Sequence, residues 1–204
     1  MPDKNQSLSS RQKKSIQTRE NLLHAAKLTF MEYGFQKTTI TQIIKQADTG
    51  YGTAYVHFKN KDEILIELIE DVMEQFYKIA ELPFRPETGE EAARKIQKQV
   101  RMFLEMARKE QRMLSIVEEA IGQSEDVHNK WKEIREKFID RISDDIRYSQ
   151  QCGLAYQDVD AEMVSRGWFY SNEMYLWEIV RNTPVSIDKV VHNLTTMYVR
   201  GLYR

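Results

Sequence analysis

A single cysteine, Cys152, stands in 204 residues, which excludes an intramolecular disulfide framework and fits a reducing cytosol. Its place before Gly153, at an expected helix end, suggests a packing role. The four histidines, His24, His57, His128 and His192, are scattered without the close spacing of metal ligands, so neither a metal nor another cofactor is expected. No apolar run approaches the roughly eighteen residues of a membrane span, and the polar start has no signal-peptide core. Strand-like alternation is not sustained beyond residue 60, and no repeat recurs at a solenoid period. No acid–base pair or activated nucleophile is recognisable, which leaves an enzyme in a helical bundle without support.

What the chain does have is a short, donor-rich segment, Thr53-Ala54-Tyr55-Val56-His57-Phe58-Lys59-Asn60-Lys61. Hydroxyl, imidazole and ammonium groups are the donors that phosphate oxygens accept. The alternative is a polar helix end lying on a small core. Upstream, Thr39-x-x-Gln42 has capping-box form and opens a short helix with Ile40, Ile43, Ile44 and Ala47 on its buried side. Asp48-Thr49-Gly50 then breaks the chain, since Asp tolerates a left-handed backbone and Gly or Thr can start a helix. Two short helices across such a turn make a helix-turn-helix, whose second helix enters the major groove of DNA. Before them, a longer helix from Ile16 to Tyr33 buries Leu22, Leu23, Ala26 and Phe30 and stops at Gly34.

Charge divides in the same place. The formal net charge is −1, but residues 1–65 carry ten Lys/Arg against six Asp/Glu, and residues 66–204 carry twenty against twenty-five. A basic module on an acidic body directs nucleic acid to one end. The polar start reads as a disordered leader over residues 1–9, with residues 11–19, holding Arg11, Lys13 and Lys14, open to a basic arm along the duplex.

Beyond residue 60 everything reads as helix. Expected spans are Asp62–Leu82, Thr88–Lys109 behind a second capping box with Glu91, Arg112–Ile121, Ser124–Cys152, Asp160 to before Pro184, and Ser186–Leu202. With the first three this makes nine helices in an all-α fold. Lys59-Asn60-Lys61 is the one domain junction, separating residues 1–60 from 61–204. The penultimate helix carries two adjoining apolar stripes, Met163, Gly167, Tyr170, Met174, Trp177 and Val164, Trp168, Ser171, Tyr175, Ile179. The last holds Val190, Val191, Leu194 and Met197. Faces this wide need cover on two sides. The middle helices gather large, soft side chains: Met73, Phe76, Tyr77, Met102, Phe103, Met106, Met113, Trp131 and Phe138. Such residues form plain core or the wall of an adaptable pocket.

From Thr18 to Leu65 the chain resembles TetR-family transcriptional regulators. The resemblance lies in Thr18-Arg19, Leu22-Leu23, Ala25-Ala26, Phe30, Gly34-Phe35, Thr38-Thr39-Ile40, Ile43, Ala47, Gly52-Thr53, Tyr55, His57-Phe58 and Asn60-Lys61-Asp62-Glu63-Ile64-Leu65. The chain departs at Asp48-Thr49-Gly50, where the family usually has Gly-Val-Ser, at Ile44 for Ala and at Ala54 for Leu. The resemblance implies a homodimeric repressor of the cytoplasm, bound to a palindromic site in double-stranded DNA. Tyr51, Gly52, Thr53 and Val56, with Thr41, would then meet base edges, and Thr39, Tyr55, His57 and Lys61 would hold phosphates. It also implies dimerisation through Met163, Gly167, Tyr170, Met174, Trp177, Val190, Leu194 and Met197. A lipophilic inducer would lie among Phe76, Met102, Phe103, Met106, Met113, Trp131 and Phe138. The alternative on the same fold is a ligand-independent DNA-binding or architectural protein with a solid middle.

Overall fold

Most helices of this chain begin where a short polar side chain takes an otherwise orphaned amide. The computed structural model describes residues 9–204, so the leader expected over residues 1–9 lies, apart from Ser9, outside the described residues. Among them run nine helices: α1 (Ser10–Lys37), α2 (Ile40–Gln46), α3 (Tyr51–His57), α4 (Lys61–Ala80), α5 (Gly89–Lys109), α6 (Gln111–Ile121), α7 (Glu125–Gln151), α8 (Ala161–Val180) and α9 (Ile187–Leu202). Ser9, Thr39, Asn60, Thr88, Ser124, Asp160 and Ser186 each accept from a backbone amide three residues on. At Thr88 the box is half formed, because the Glu91 carboxylate takes the amide of Glu87 instead.

The first helix starts earlier than the apolar pattern predicts. Ser9 and Gln12 form a reciprocal capping box, and residues 11–19, open to a basic arm along the duplex on sequence grounds, are helical. The straight run of α1 ends at Gly34, whose φ of 77° belongs to the left-handed region, and Phe35–Lys37 add one further turn. Three side chains hold that turn. Glu119 of α6 accepts from the amides of Phe35 (2.9 Å) and Gln36 (3.0 Å). Lys61 Nζ donates to the carbonyls of Phe35 (2.6 Å) and Thr38 (2.9 Å) and lies over the Phe35 ring. The Thr38 hydroxyl donates to the Gly34 carbonyl at 2.7 Å. Together they set the angle at which α2 leaves α1.

Burial does not stop at residue 60. Leu22, Ala26 and Phe30 of α1 and Ile43 of α2 share one continuous core with Leu65, Ile69 and Phe76 of α4, Met113 of α6, Ile139 of α7 and Leu176 of α8. One core thus runs across the expected junction at Lys59-Asn60-Lys61, and α4 packs against α1. A second core joins Phe84, Ile96, Val100 and Leu104 to Val191, Leu194 and Leu202, so that α9 lies against α5. The chain end is pinned by Arg204 N to the Leu154 carbonyl (2.9 Å) and by an isolated antiparallel bridge between Ala155 and Tyr203. Cys152, expected to pack, is exposed at the end of α7.

Candidate nucleic-acid interface and ligand cavity

Seven residues make α3, and a single one of them, Ala54, is buried. It anchors the helix on Ile43 and Ile44 through the shared core, and Asp48 (φ 48°) supplies the left-handed step before it. The turn is fastened by Thr49 N to the Ile44 carbonyl and by the Thr49 hydroxyl to the Ala47 carbonyl. Tyr51, Gly52, Thr53, Tyr55 and Val56 all remain exposed, Val56 by 81%. An apolar, β-branched side chain with no neighbour is costly to display and is suited to a thymine methyl group in the major groove. Gly52 has open space around the position of a side chain. Nothing within the protein demands glycine there, which agrees with a backbone that something external must approach.

The expected phosphate contacts fare unequally. On α3 itself, Tyr55 is half exposed and His57 half buried. Thr39 is exposed, but its hydroxyl both accepts from Gln42 N and donates to Gln42 Oε1, as an N-cap. Thr41, the second residue of α2, is half buried. Lys61 is the correction. Its ammonium is turned inward onto carbonyls at the end of α1, where a positive charge also complements the helix dipole. Lys59, with its side chain 87% exposed, is the freer cation of this segment.

A cavity of about 90 Å³ opens between α4, α5, α7 and α8. Of the seven side chains expected there, Phe76, Phe103 and Phe138 line it. The other four do not. Met102 and Met106 are half buried elsewhere on α5, and Met113 is sealed in the main core. Trp131 donates from Nε1 to the buried Glu173 carboxylate at 2.7 Å, which also accepts from Arg135, and its ring packs on Trp177. The wall contains polar groups that the apolar pattern missed: Gln99, Asn172, and the pair Arg141–Asp145 with Nη1 to Oδ1 at 2.5 Å. Burial pushes the Asp145 carboxyl up to about 6 although Arg141 pulls the other way. A smaller void of about 50 Å³ adjoins it across Val100, Ile142 and Trp168 and reaches Tyr198 and Tyr203.

Of the expected dimer contacts, Met163, Gly167, Tyr170 and Met174 form an exposed stripe along α8, and Met197 is 71% exposed on α9. Val190 (7% exposed) and Leu194 (8%) instead fill the core beneath α9, and Trp177 is half buried against Trp131. The apolar face of α9 is thus divided between its own subunit and the surface. Among the described residues no helix is long and apolar enough to cross a membrane.

Known proteins match both ends of this arrangement. Residues 22–68 match the family described as bacterial regulatory proteins, tetR family, and residues 96–204, over half the chain, match the C-terminal domain of the transcriptional regulator EthR. The fatty acid metabolism regulator protein of Bacillus subtilis is 40% identical over 55 residues, 27% of this chain and 28% of its own. An uncharacterised helix-turn-helix regulator of the same organism, YhgD, is 32% identical over 72 residues, 35% of this chain and 38% of its own. The matched stretch thus spans well under half of either relative. A TetR-family regulator of Syntrophomonas wolfei superposes with a TM-score of 0.73 at 20% identity, covering 90% of this chain and 93% of that one. The SmeT–triclosan complex, SmeT being the repressor of a Stenotrophomonas maltophilia multidrug efflux pump, gives 0.71 at 18% identity with 92% of both chains covered. With a helix-turn-helix at one end and the matched C-terminal domain at the other, the chain belongs to the TetR family of transcriptional regulators, DNA-binding proteins and not enzymes.

Proposed function

We propose that the protein is a homodimeric repressor that binds an inverted-repeat operator and is released from it by a lipophilic small molecule. The observation that carries this reading is the span of α4. Lys61 at its start belongs to the turn that sets α2, and Phe76, Ile79 and Ala80 at its end form part of the cavity wall. Twenty residues of helix cover about 30 Å, so a ligand that displaces the cavity end moves the recognition helix at the other. A twofold dimer through the α8 stripe and Met197 presents two copies of α3, spaced for half-sites about 34–36 Å apart or a multiple of it. DNA holds that distance fixed, so a spread of a few ångströms loses one half-site. A hundredfold loss of affinity requires the ligand to favour the spread state by about 2.7 kcal/mol.

Support for a lipophilic ligand comes from Phe76, Phe103, Phe138 and Phe169 in the wall, and from relatives named for fatty acid metabolism and solved with triclosan. The cavity itself favours this over the ligand-independent reading. Fluorescence anisotropy on inverted repeats selected from random DNA tests the proposal. Specific binding should fall as triclosan or a fatty-acyl compound is titrated in. In Val100→Phe, which fills the wall shared by both voids, binding should persist and release should be lost. Equal release in that variant would refute the cavity as the inducer site.

A further inference from the structure

The carboxylate of Asp145 stands where the two voids meet, and one of its oxygens is uncommitted. Gln99, Val100, Ile142, Asp145 and Trp168 border both the larger void and the smaller one. Asp145 Oδ1 accepts from the Arg141 guanidinium at 2.5 Å, and no bond to Oδ2 is formed among the described residues. Oδ2 is nevertheless not enclosed. The enclosed side-chain atoms left without a partner are Ser143 Oγ, Asn172 Oδ1 and Thr195 Oγ1, so Oδ2 keeps surface that a small molecule can touch. With the side chain only 15% exposed, that surface lies toward the space Asp145 borders, which is the two voids. A carboxylate in such a place gains from a second partner, since its one cation does not offset the cost of burial, which pushes it up to about 6. The rings nearby favour the same sign of charge. Phe76, Phe138 and Phe169 line the larger void, and Trp168 and Tyr198, stacked with centroids 4.0 Å apart, line the smaller. Aromatic faces are electronegative and attract cations. Arg141 opposes a cation, but it is engaged by Oδ1 and borders the larger void alone.

We propose that the inducer is a lipophilic amine, with an aromatic ring in the larger void and a protonated amino group, on a short chain, bonded to Asp145 Oδ2. The proposal rests on the ligand-responsive reading and sharpens it. A fatty-acyl carboxylate would meet Asp145 as a like charge, and a neutral alcohol would bond Oδ2 without the ionic attraction. Voids of about 90 and 50 Å³ suit one ring with a short chain.

Three probes of similar shape test this by calorimetric titration of the full-length protein at millimolar ligand. 2-Phenylethylamine is a cation near neutral pH, 2-phenylethanol is neutral and phenylacetate is an anion. The amine should bind about tenfold more tightly than the alcohol, and phenylacetate least. Asp145→Asn, which keeps the shape and removes the charge, should bring amine and alcohol within about twofold. A second readout needs no variant. Between about pH 7.5 and 5 the unaltered protein should lose about tenfold in affinity for the amine and none for the alcohol, as Asp145 takes up a proton. The other charged or titratable groups facing it are Arg141 and Asp144 on α7, Arg85 ahead of α5, and Tyr198 and Tyr203 at the chain end. The arginines stay charged in that window, and burial holds both tyrosines neutral. Equal affinity for amine and alcohol would overturn the amine proposal alone, as would a preference that survives both the substitution and the acid. Tightest binding by phenylacetate would also overturn it, in favour of an anion on Arg141. Binding of none of the three would overturn it together with the cavity as a ligand site.

Discussion

Replacing Lys61 with methionine separates a structural lysine from a DNA-contacting one. Lys61→Met keeps most of the aliphatic stem above Phe35 and removes the ammonium with its bonds to the carbonyls of Phe35 (2.6 Å) and Thr38 (2.9 Å). A third contact, to Gln36 at 3.4 Å, contributes little. Hydrogen bonds to a charged partner are worth about 1.5–3 kcal/mol each, and water at this half-buried site offsets roughly half of that. The expected loss is about 2 kcal/mol, or roughly 4–8 °C in melting temperature for a chain of this size. Urea denaturation measures it, alongside operator binding between about 50 and 200 mM salt. Stability should fall, and the salt dependence of binding by the folded protein should be unchanged. A phosphate contact behaves in the opposite way: stability is kept, and the slope of log K against log salt shrinks by about 0.9 for each contact removed. That outcome would refute the inward assignment.

Three other perturbations follow from the same geometry. Val56→Ala should leave stability within about 0.5 kcal/mol but lower operator affinity several-fold with no change on random DNA, as read by competition anisotropy. Met197→Glu should give a folded monomer by light scattering with unchanged circular dichroism, whereas Leu194→Glu, buried beneath α9, should unfold the protomer. Asp145 has a folded pKa of about 6 above its ordinary 3.8, so its penalty is absent below about pH 4 and complete above about pH 6. The stability of the unaltered protein relative to Asp145→Asn should therefore decline across that window, and a flat difference in denaturation midpoints would discount burial of the carboxyl.

The helix starts were legible because their signals are local. Thr39 and Gln42, or Ser124 and Val127, meet within one turn, and a sequence records such neighbours directly. The capping box of Ser9 and Gln12 is equally local, but it precedes a polar stretch without apolar periodicity and passes unnoticed. Long-range partners were not legible. Lys61 stands among phosphate-seeking residues, and its carbonyl acceptors lie more than twenty residues earlier. Arg141 and Asp145 occupy adjacent turns of α7, where an exposed ion pair and a cavity wall have the same spacing. Periodicity marked Val190 and Leu194 as apolar, yet it carries no information on whether α5 or a second subunit covers them. The exposure of α3 was readable for the opposite reason. On a helix of two turns resting on Ala54, nearly every other side chain must point outward.

The turn from Gly34 to Thr38 sets a limit on charge reversal. In an ordinary ion pair, exchanging the two residues restores the attraction, so a double reversal rescues either single one. Glu119 and Lys61 do not face each other in that sense, because each addresses the backbone: one takes the amides of Phe35 and Gln36, the other the carbonyls of Phe35 and Thr38. Backbone polarity is the same for every sequence and cannot be inverted by substitution. Glu119→Lys combined with Lys61→Glu would bring an ammonium to amide hydrogens and a carboxylate to carbonyl oxygens, compounding two faults. At this turn, where α6 of the C-terminal half meets the base of the helix-turn-helix, evolution can alter the strength of the two fastenings but has no route to exchange their signs.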